Sequence, residues 1–155
     1  MKRIKYWILL VCLTSVRLVS AQHFSIDSLV VPDDFDNIYV QQISGDSLSS
    51  AFLIWIKEEV KLHKHLEHSE HVYVLEGSGE MQLGDSRLHI KAGDLIFIPK
   101  NTPHKVRTTS DIPLKVISIQ SPAFDGTDRI LGVMDKIVLF FETLVPSGQN
   151  SACFF

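Results

Sequence analysis

His63-Lys64-His65-Leu66-Glu67-His68-Ser69-Glu70-His71-Val72-Tyr73-Val74-Leu75-Glu76-Gly77 is the stretch on which the reading of this chain turns; four of the seven histidines fall between positions 63 and 71. On a β-strand, residues two apart point to the same side, so His63 and His65 can direct two imidazoles at one point. Glu70 follows after a four-residue gap, long enough for a turn. It opens the next strand and can face the same point from a neighbouring position. A fourth ligand has to come from elsewhere. His104, behind Pro99 and Pro103 at the start of another strand, is the best candidate. Three imidazoles and a carboxylate suit Mn, Fe, Co, Ni, Cu or Zn rather than Ca or Mg. A solvated histidine-rich loop has the same composition, so these residues alone leave both readings standing.

Outward from this stretch, strand signals are dense. Ile38–Ile43 is short and β-rich, and Ala51–Val60 carries the apolar run Phe52 to Ile56. His71–Glu76 ends at the turn Gly77-Ser78-Gly79. Glu80–Leu83 and Arg87–Lys91 flank Gly84-Asp85-Ser86, a hairpin signal. Leu95–Ile98 is stopped by Pro99, and His104–Thr108 and Leu114–Gln120 follow. Many short strands with turns at close spacing predict an all-β sandwich or barrel. From Asp128 to Leu144 the pattern changes. Ile130, Val133, Met134, Ile137, Phe140, Phe141 and Leu144 share one helical face, which predicts a C-terminal amphipathic helix.

The spacing His63-x-His65-x4-Glu70-x6-Gly77 resembles the first motif of the cupin superfamily. Gly93-x5-Pro99-x-Asn101-x2-His104 is similar to most of the second, with Asn101 in place of a usual glycine. Asparagine tolerates the left-handed backbone that such a turn needs. The resemblance covers roughly residues 50–122. It implies a single jelly-roll β-barrel with His63, His65, Glu70 and His104 as ligands of one divalent transition metal ion (Fe, Mn, Ni, Cu or Zn) inside it. It also implies a homodimer.

The first residues read as an export leader. Lys2, Arg3 and Lys5 precede the apolar run Tyr6–Leu13, and Val19-Ser20-Ala21 offers a cleavage site before Gln22. The run is shorter than the roughly 20 apolar residues that span a bilayer. The expected organisation is a signal peptide at 1–21, a lead-in at 22–36, a barrel at 37–122, and a helix and tail at 123–155. The expected location is secreted or periplasmic. Cleavage removes Lys2, Arg3, Lys5 and Arg17 and takes the formal charge from −3 to −7. An acidic mature chain is poorly suited to nucleic acid or to an anionic membrane surface. It keeps one cysteine, Cys153, and therefore no internal disulfide.

The expected partner is a small molecule. By resemblance, small cupins include dioxygenases, oxidases, decarboxylases, isomerases and epimerases. The preferred expectation is a metal-dependent oxidoreductase of the dioxygenase kind, with Glu70 also able to take a proton during turnover. The alternatives are a cupin that binds a sugar or other small ligand without turnover, and an isomerase or epimerase. Strand parity sets Val72, Val74 and Val106 beside the ligands as an apolar wall and turns His71 and Tyr73 away. Parity also sets Lys57, Glu59 and Lys61 on the face of His63, unless a bulge intervenes. His68 reads as a loop residue and His89 as structural. Arg107 and Arg129 read as solvated, or as contacts for an anion.

Overall fold

A computed structural model describes residues 22–132. The expected leader and residues 133–155 lie outside the described residues. The described residues 22–30 belong to a unit of their own, with one turn of 3-10 helix at Ile26–Ser28.

The described residues of the second unit form ten strands: β1 (Ile38–Gly45), β2 (Ser50–Ile56), β3 (Glu59–Lys64), β4 (Ser69–Glu76), β5 (Ser78–Leu83), β6 (Ser86–Lys91), β7 (Leu95–Ile98), β8 (His104–Thr108), β9 (Leu114–Ser121) and β10 (Ile130–Leu131). They form two five-stranded antiparallel sheets, β1-β2-β9-β4-β7 and β10-β3-β8-β5-β6. The all-β expectation holds. The barrel implied by the resemblance is not closed by hydrogen bonds, because no strand is shared between the two ladders. Their apolar faces line one cavity instead, with Ile54, Val72 and Val116 from the first sheet and Val60, Met81 and Val106 from the second.

Alternation dictates which side chains enter. In β4, Glu70, Val72 and Val74 are buried while His71 and Tyr73 are exposed. In β9, Leu114, Val116, Ser118 and Gln120 are buried. The expected single strand Ala51–Val60 is two strands, broken at Lys57-Glu58 where the chain passes between sheets. Asn37 holds that break. Its side-chain oxygen accepts from the Glu58 and Glu59 amides at 2.9 and 3.1 Å, and its carbonyl accepts from Lys57 N–H at 2.8 Å. A second crossing occurs at Gly77, between β4 and β5. Its φ is +78°, and a Cβ there would meet Pro113 O and Ser110 Oγ, each at 2.9 Å, so only glycine fits without strain.

The bulge left open by parity is present. The β3–β8 register shifts between Val60 and His63. Val60 therefore lines the cavity, and Lys57, Glu59 and Lys61 are exposed. The expected helix from Asp128 is corrected over its first residues: Asp128 and Arg129 are irregular, and Ile130–Leu131 pair with Lys64 and His63 of β3. The apolar spacing fits a helical period, but hydrogen bonding to the free edge of β3 outweighs that local preference. Among the described residues no C-terminal helix is present, and no helix is long and apolar enough to cross a membrane.

Candidate metal centre

Strands β3, β4 and β8 bring the four expected ligands together. His63 and His104 face each other across the β3–β8 ladder, with ring centroids 4.1 Å apart. One ring nitrogen from each of His63, His65 and His104 lies within 4.8 Å of the other two. Glu70 Oε2 is 3.4 Å from His104 Nε2 and 3.7 Å from His65 Nε2. All four residues are buried.

The hydrogen bonds behind the rings fix what faces inward. His63 Nδ1 donates to Lys61 O at 2.9 Å, His104 Nδ1 to Thr102 O at 2.9 Å, and His65 Nδ1 to Asp128 O at 2.5 Å. A carbonyl oxygen only accepts, so each Nδ1 carries the proton and each Nε2 presents a lone pair. His104 Nε2 is buried with no hydrogen-bond partner. Three imidazole lone pairs and a carboxylate oxygen thus converge with no proton between them, an arrangement that a cation stabilises. Backbone acceptors behind ligating imidazoles are the usual way that tautomer and ring direction are set. The donor set therefore fits a transition metal ion.

Electrostatics point the same way. Burial, aided by neighbouring His104, drags the His63 pKa down to about 3 and keeps the ring neutral. Burial would raise the Glu70 pKa, but the neighbouring His104 imidazole and the hydrogen bond from Ser118 outweigh it and hold the carboxyl at about 2. Ser118 Oγ donates to Glu70 Oε1 at 2.5 Å, and Gln120 Nε2 donates to Ser118 Oγ at 3.2 Å.

Several residues around the centre carry no motif in the sequence. The Asp128 carboxylate accepts from Leu66 N at 2.8 Å and Glu67 N at 2.7 Å, and pairs with His68 Nδ1 at 2.9 Å. It thus fastens the turn between His65 and Glu70. His68 lies in that turn, as expected, but is buried: its ring stacks 4.1 Å from that of His65 and packs near Phe124. His65, His68 and Asp128 also come close enough to share an ion, but the His68–Asp128 hydrogen bond already accounts for that contact. Asn101 adopts the left-handed φ of 61°, and its amide donates to His65 O at 2.5 Å. His71, His89 and Arg107 are exposed and take no part; Arg129 lines the cavity.

The cavity beside the centre measures about 150 Å³, and Ile54, Ile56, Val72, Met81, Val106 and Val116 form much of its wall. Of the apolar wall expected from Val72, Val74 and Val106, Val72 and Val106 line the cavity, whereas Val74 is fully buried in the core and does not.

Comparison with known proteins adds the family. The cupin domain family matches residues 52–120, which contain all four converging residues. The chain is 40% identical over 95 residues to an uncharacterized protein of Aquifex aeolicus, spanning 61% of this chain and 78% of that one. It is 37% identical over 82 residues to one of Methanocaldococcus jannaschii, covering 53% of this chain and 65% of the relative's length. A mannose-1-phosphate guanylyltransferase of Sinorhizobium fredii is 31% identical over 99 residues, but these make up 63% of this chain and only 19% of the enzyme. Among solved structures, a Klebsiella pneumoniae protein with a double-stranded β-helix domain superposes with TM-score 0.63 at 20% identity, covering 73% of this chain and 98% of that one. A nucleoside dehydratase from Streptomyces superposes with TM-score 0.52 at 17% identity, covering 60% and 84%. At such identities the superpositions speak for the fold alone. Family match, facing sheets and inward histidines agree: the chain belongs to the cupin superfamily.

Proposed function

We propose that the chain is an exported protein that holds one divalent transition metal ion (Fe, Mn, Ni, Cu or Zn) through His63, His65, Glu70 and His104. In this reading it acts on a small molecule as a metal-dependent oxidoreductase of the dioxygenase kind, and it works as a homodimer. The observation that carries the proposal is the convergence of three Nε2 lone pairs and Glu70 Oε2, each ring fixed from behind by a carbonyl. When bound, such an ion would supply Lewis acidity and, if redox-active, electron transfer.

The protein's own groups do the rest. The rings hold their direction, Ser118 keeps Glu70 Oε1 engaged, and the apolar wall excludes water from the reacting end of the ligand. With its pKa near 2, Glu70 is a weak proton acceptor. Its part is to hold negative charge rather than to carry a proton. A binding role without turnover uses the same site. The apolar wall speaks against a sugar as the occupant, because a sugar's hydroxyls need polar partners when buried. Pairing of two copies is supported by the outer face of the first sheet. Tyr73, Leu95, Phe97 and Ile119 lie exposed side by side there, registered Tyr73 to Leu95 and His71 to both Phe97 and Ile119.

The test is elemental analysis of the protein purified from its own host without added metal, beside a His63→Ala/His104→Ala variant. N-terminal sequence and molar mass are read on the same sample. About one equivalent of a transition metal, lost in the variant, is expected, with Gln22 first and the mass of two chains. A redox-active metal directs screening to dioxygenase and oxidase reactions, and zinc to isomerase, epimerase or binding roles. No metal in either protein, even after loading, removes the proposal.

A further inference from the structure

Among the described residues Glu70 is the one carboxylate that lines the cavity, and that group is engaged by Ser118 and the imidazoles. Arg129 lines it as well and makes no ion pair with a carboxylate among the described residues. Lys105 borders the cavity, but its side chain is exposed, next to inward His104 on β8. Arg129 sits at the accessible edge, on the segment whose preceding residue holds His65. Glu70 and Arg129 offset each other formally, and a divalent ion held by Glu70 and the imidazoles would leave the cavity cationic.

A second, independent mismatch lies deeper. Gln120 is buried and lines the cavity; its amide nitrogen is spent on Ser118, while Oε1 is buried with no partner. A buried acceptor left unmet costs about 1–3 kcal/mol, and a ligand that brings a donor relieves it. Between the two polar points the wall is aliphatic.

We propose that the cavity takes a small carboxylic acid with an aliphatic body and a hydroxyl donor. Its carboxylate pairs with Arg129 at the mouth, its hydroxyl donates to Gln120 Oε1, and its body packs against Val72, Val106 and Val116. A carboxylate is favoured over a phosphate because phosphate sites are built from converging backbone amides at a glycine-rich loop or helix N-terminus. Among the described residues neither faces the cavity. This inference names the ligand class of the proposed site and rests on that reading for the cavity's role. Arg129 and Gln120, however, act whether or not a metal is present.

The experiment is calorimetric titration of hexanoate, 6-hydroxyhexanoate, hexanamide and methyl phosphate into the mature protein. It is run both chelated and zinc-loaded, with Arg129→Gln, Arg129→Lys and Gln120→Met beside the wild type. A charge-assisted contact predicts that hexanoate binds at least about tenfold tighter than its neutral isostere hexanamide, in the chelated protein as well. Arg129→Gln should bring the two within about twofold and Arg129→Lys should restore part of the gap. 6-Hydroxyhexanoate should bind several-fold tighter than hexanoate, and Gln120→Met should abolish that gain. Unchanged zinc content and melting temperature in the variants show that the fold is kept. The proposal is overturned if hexanamide binds as well as hexanoate, if the preference survives Arg129→Gln, if methyl phosphate binds best, or if no acid binds at millimolar concentration. Failure of the wild type to take up zinc would remove the metal reading. Acid selection in the chelated protein would then stand or fall separately.

Discussion

Residues 52–120 and residues 124–132 contribute to the same site in opposite ways. The first region, which the cupin family covers, supplies every group that converges on the centre. The second supplies none of them, yet Asp128 O fixes the His65 ring, the Asp128 carboxylate fastens the turn before Glu70, Phe124 packs on His68, and Arg129 edges the cavity. The rings differ accordingly. His63 and His104 are each held by a carbonyl two residues back, whereas His65 is held from 63 residues away. Two ligands are therefore preset by their own strands, and the third is preset only once the chain has returned.

Cutting the second region's hold gives the largest expected effect. Asp128→Ala leaves two amides and His68 without their acceptor. It should weaken zinc affinity about 10- to 100-fold and lower unfolding free energy by about 2 kcal/mol, read by competition with a chromogenic chelator and by denaturant titration. Zinc affinity unchanged within twofold would mean that the centre needs no support from the Asp128 carboxylate, whose backbone carbonyl stays on His65 in this variant.

The pH response sharpens the comparison from the other side. In the metal-free protein His63 titrates at about 3, against 6.5 for an ordinary imidazole, so between these values the unfolded chain binds more protons. Stability is complete above pH 6.5 and falls as the pH drops toward 3, by at most about 1.4 kcal/mol per pH unit from this group. Buried His68, also depressed, adds in the same direction. Glu70 enters lower, as the pH falls from 4.5 toward 2, so melts between pH 6.5 and 5 isolate the histidines. His63→Asn should flatten part of that slope. An unchanged slope would show that His63 is not kept neutral by burial.

The smallest effect lies where the first region supports His65 itself. Asn101, at φ 61°, donates its amide to His65 O. Asn101→Gly should be neutral or stabilising by a few tenths of a kcal/mol, and Asn101→Ala should cost about 1 kcal/mol, with zinc affinity barely changed in either. A large loss in the glycine variant would assign the asparagine side chain a role that its backbone does not explain.

Much of the first region was legible in advance, because β4 alternates cleanly and because His63 and His65 share parity on one strand. The motif spacing led to His104, whose partner His63 lies across a ladder. The second region was not legible. Ile130, Val133, Met134 and Ile137 fit a helical period, and periodicity carries no information about a strand edge more than 60 residues away in sequence. Asp128 was accordingly placed on a helix face, and its four contacts with the 65–68 turn had no signal. His68 was located in the right loop, but its burial follows from Asp128 and Phe124, which local pattern cannot reach. Ser118 and Gln120 belong to no motif, and only the facing of the strands shows that Ser118 reaches Glu70 and Gln120 reaches Ser118.

The two-residue strand β10 has a consequence of another kind. In its sheet β3 is flanked by β8 on one side and by β10 on the other, and beyond the pairing itself Gly132 N–H donates to Leu62 O. Without Ile130–Leu131, the backbone of Leu62–Lys64 would be a bare sheet margin, open to pairing with a strand from another molecule. Proteolytic nicking ahead of Ile130 would then be recognised first by self-association and turbidity, with the ligand-bearing strand as the template for aggregation.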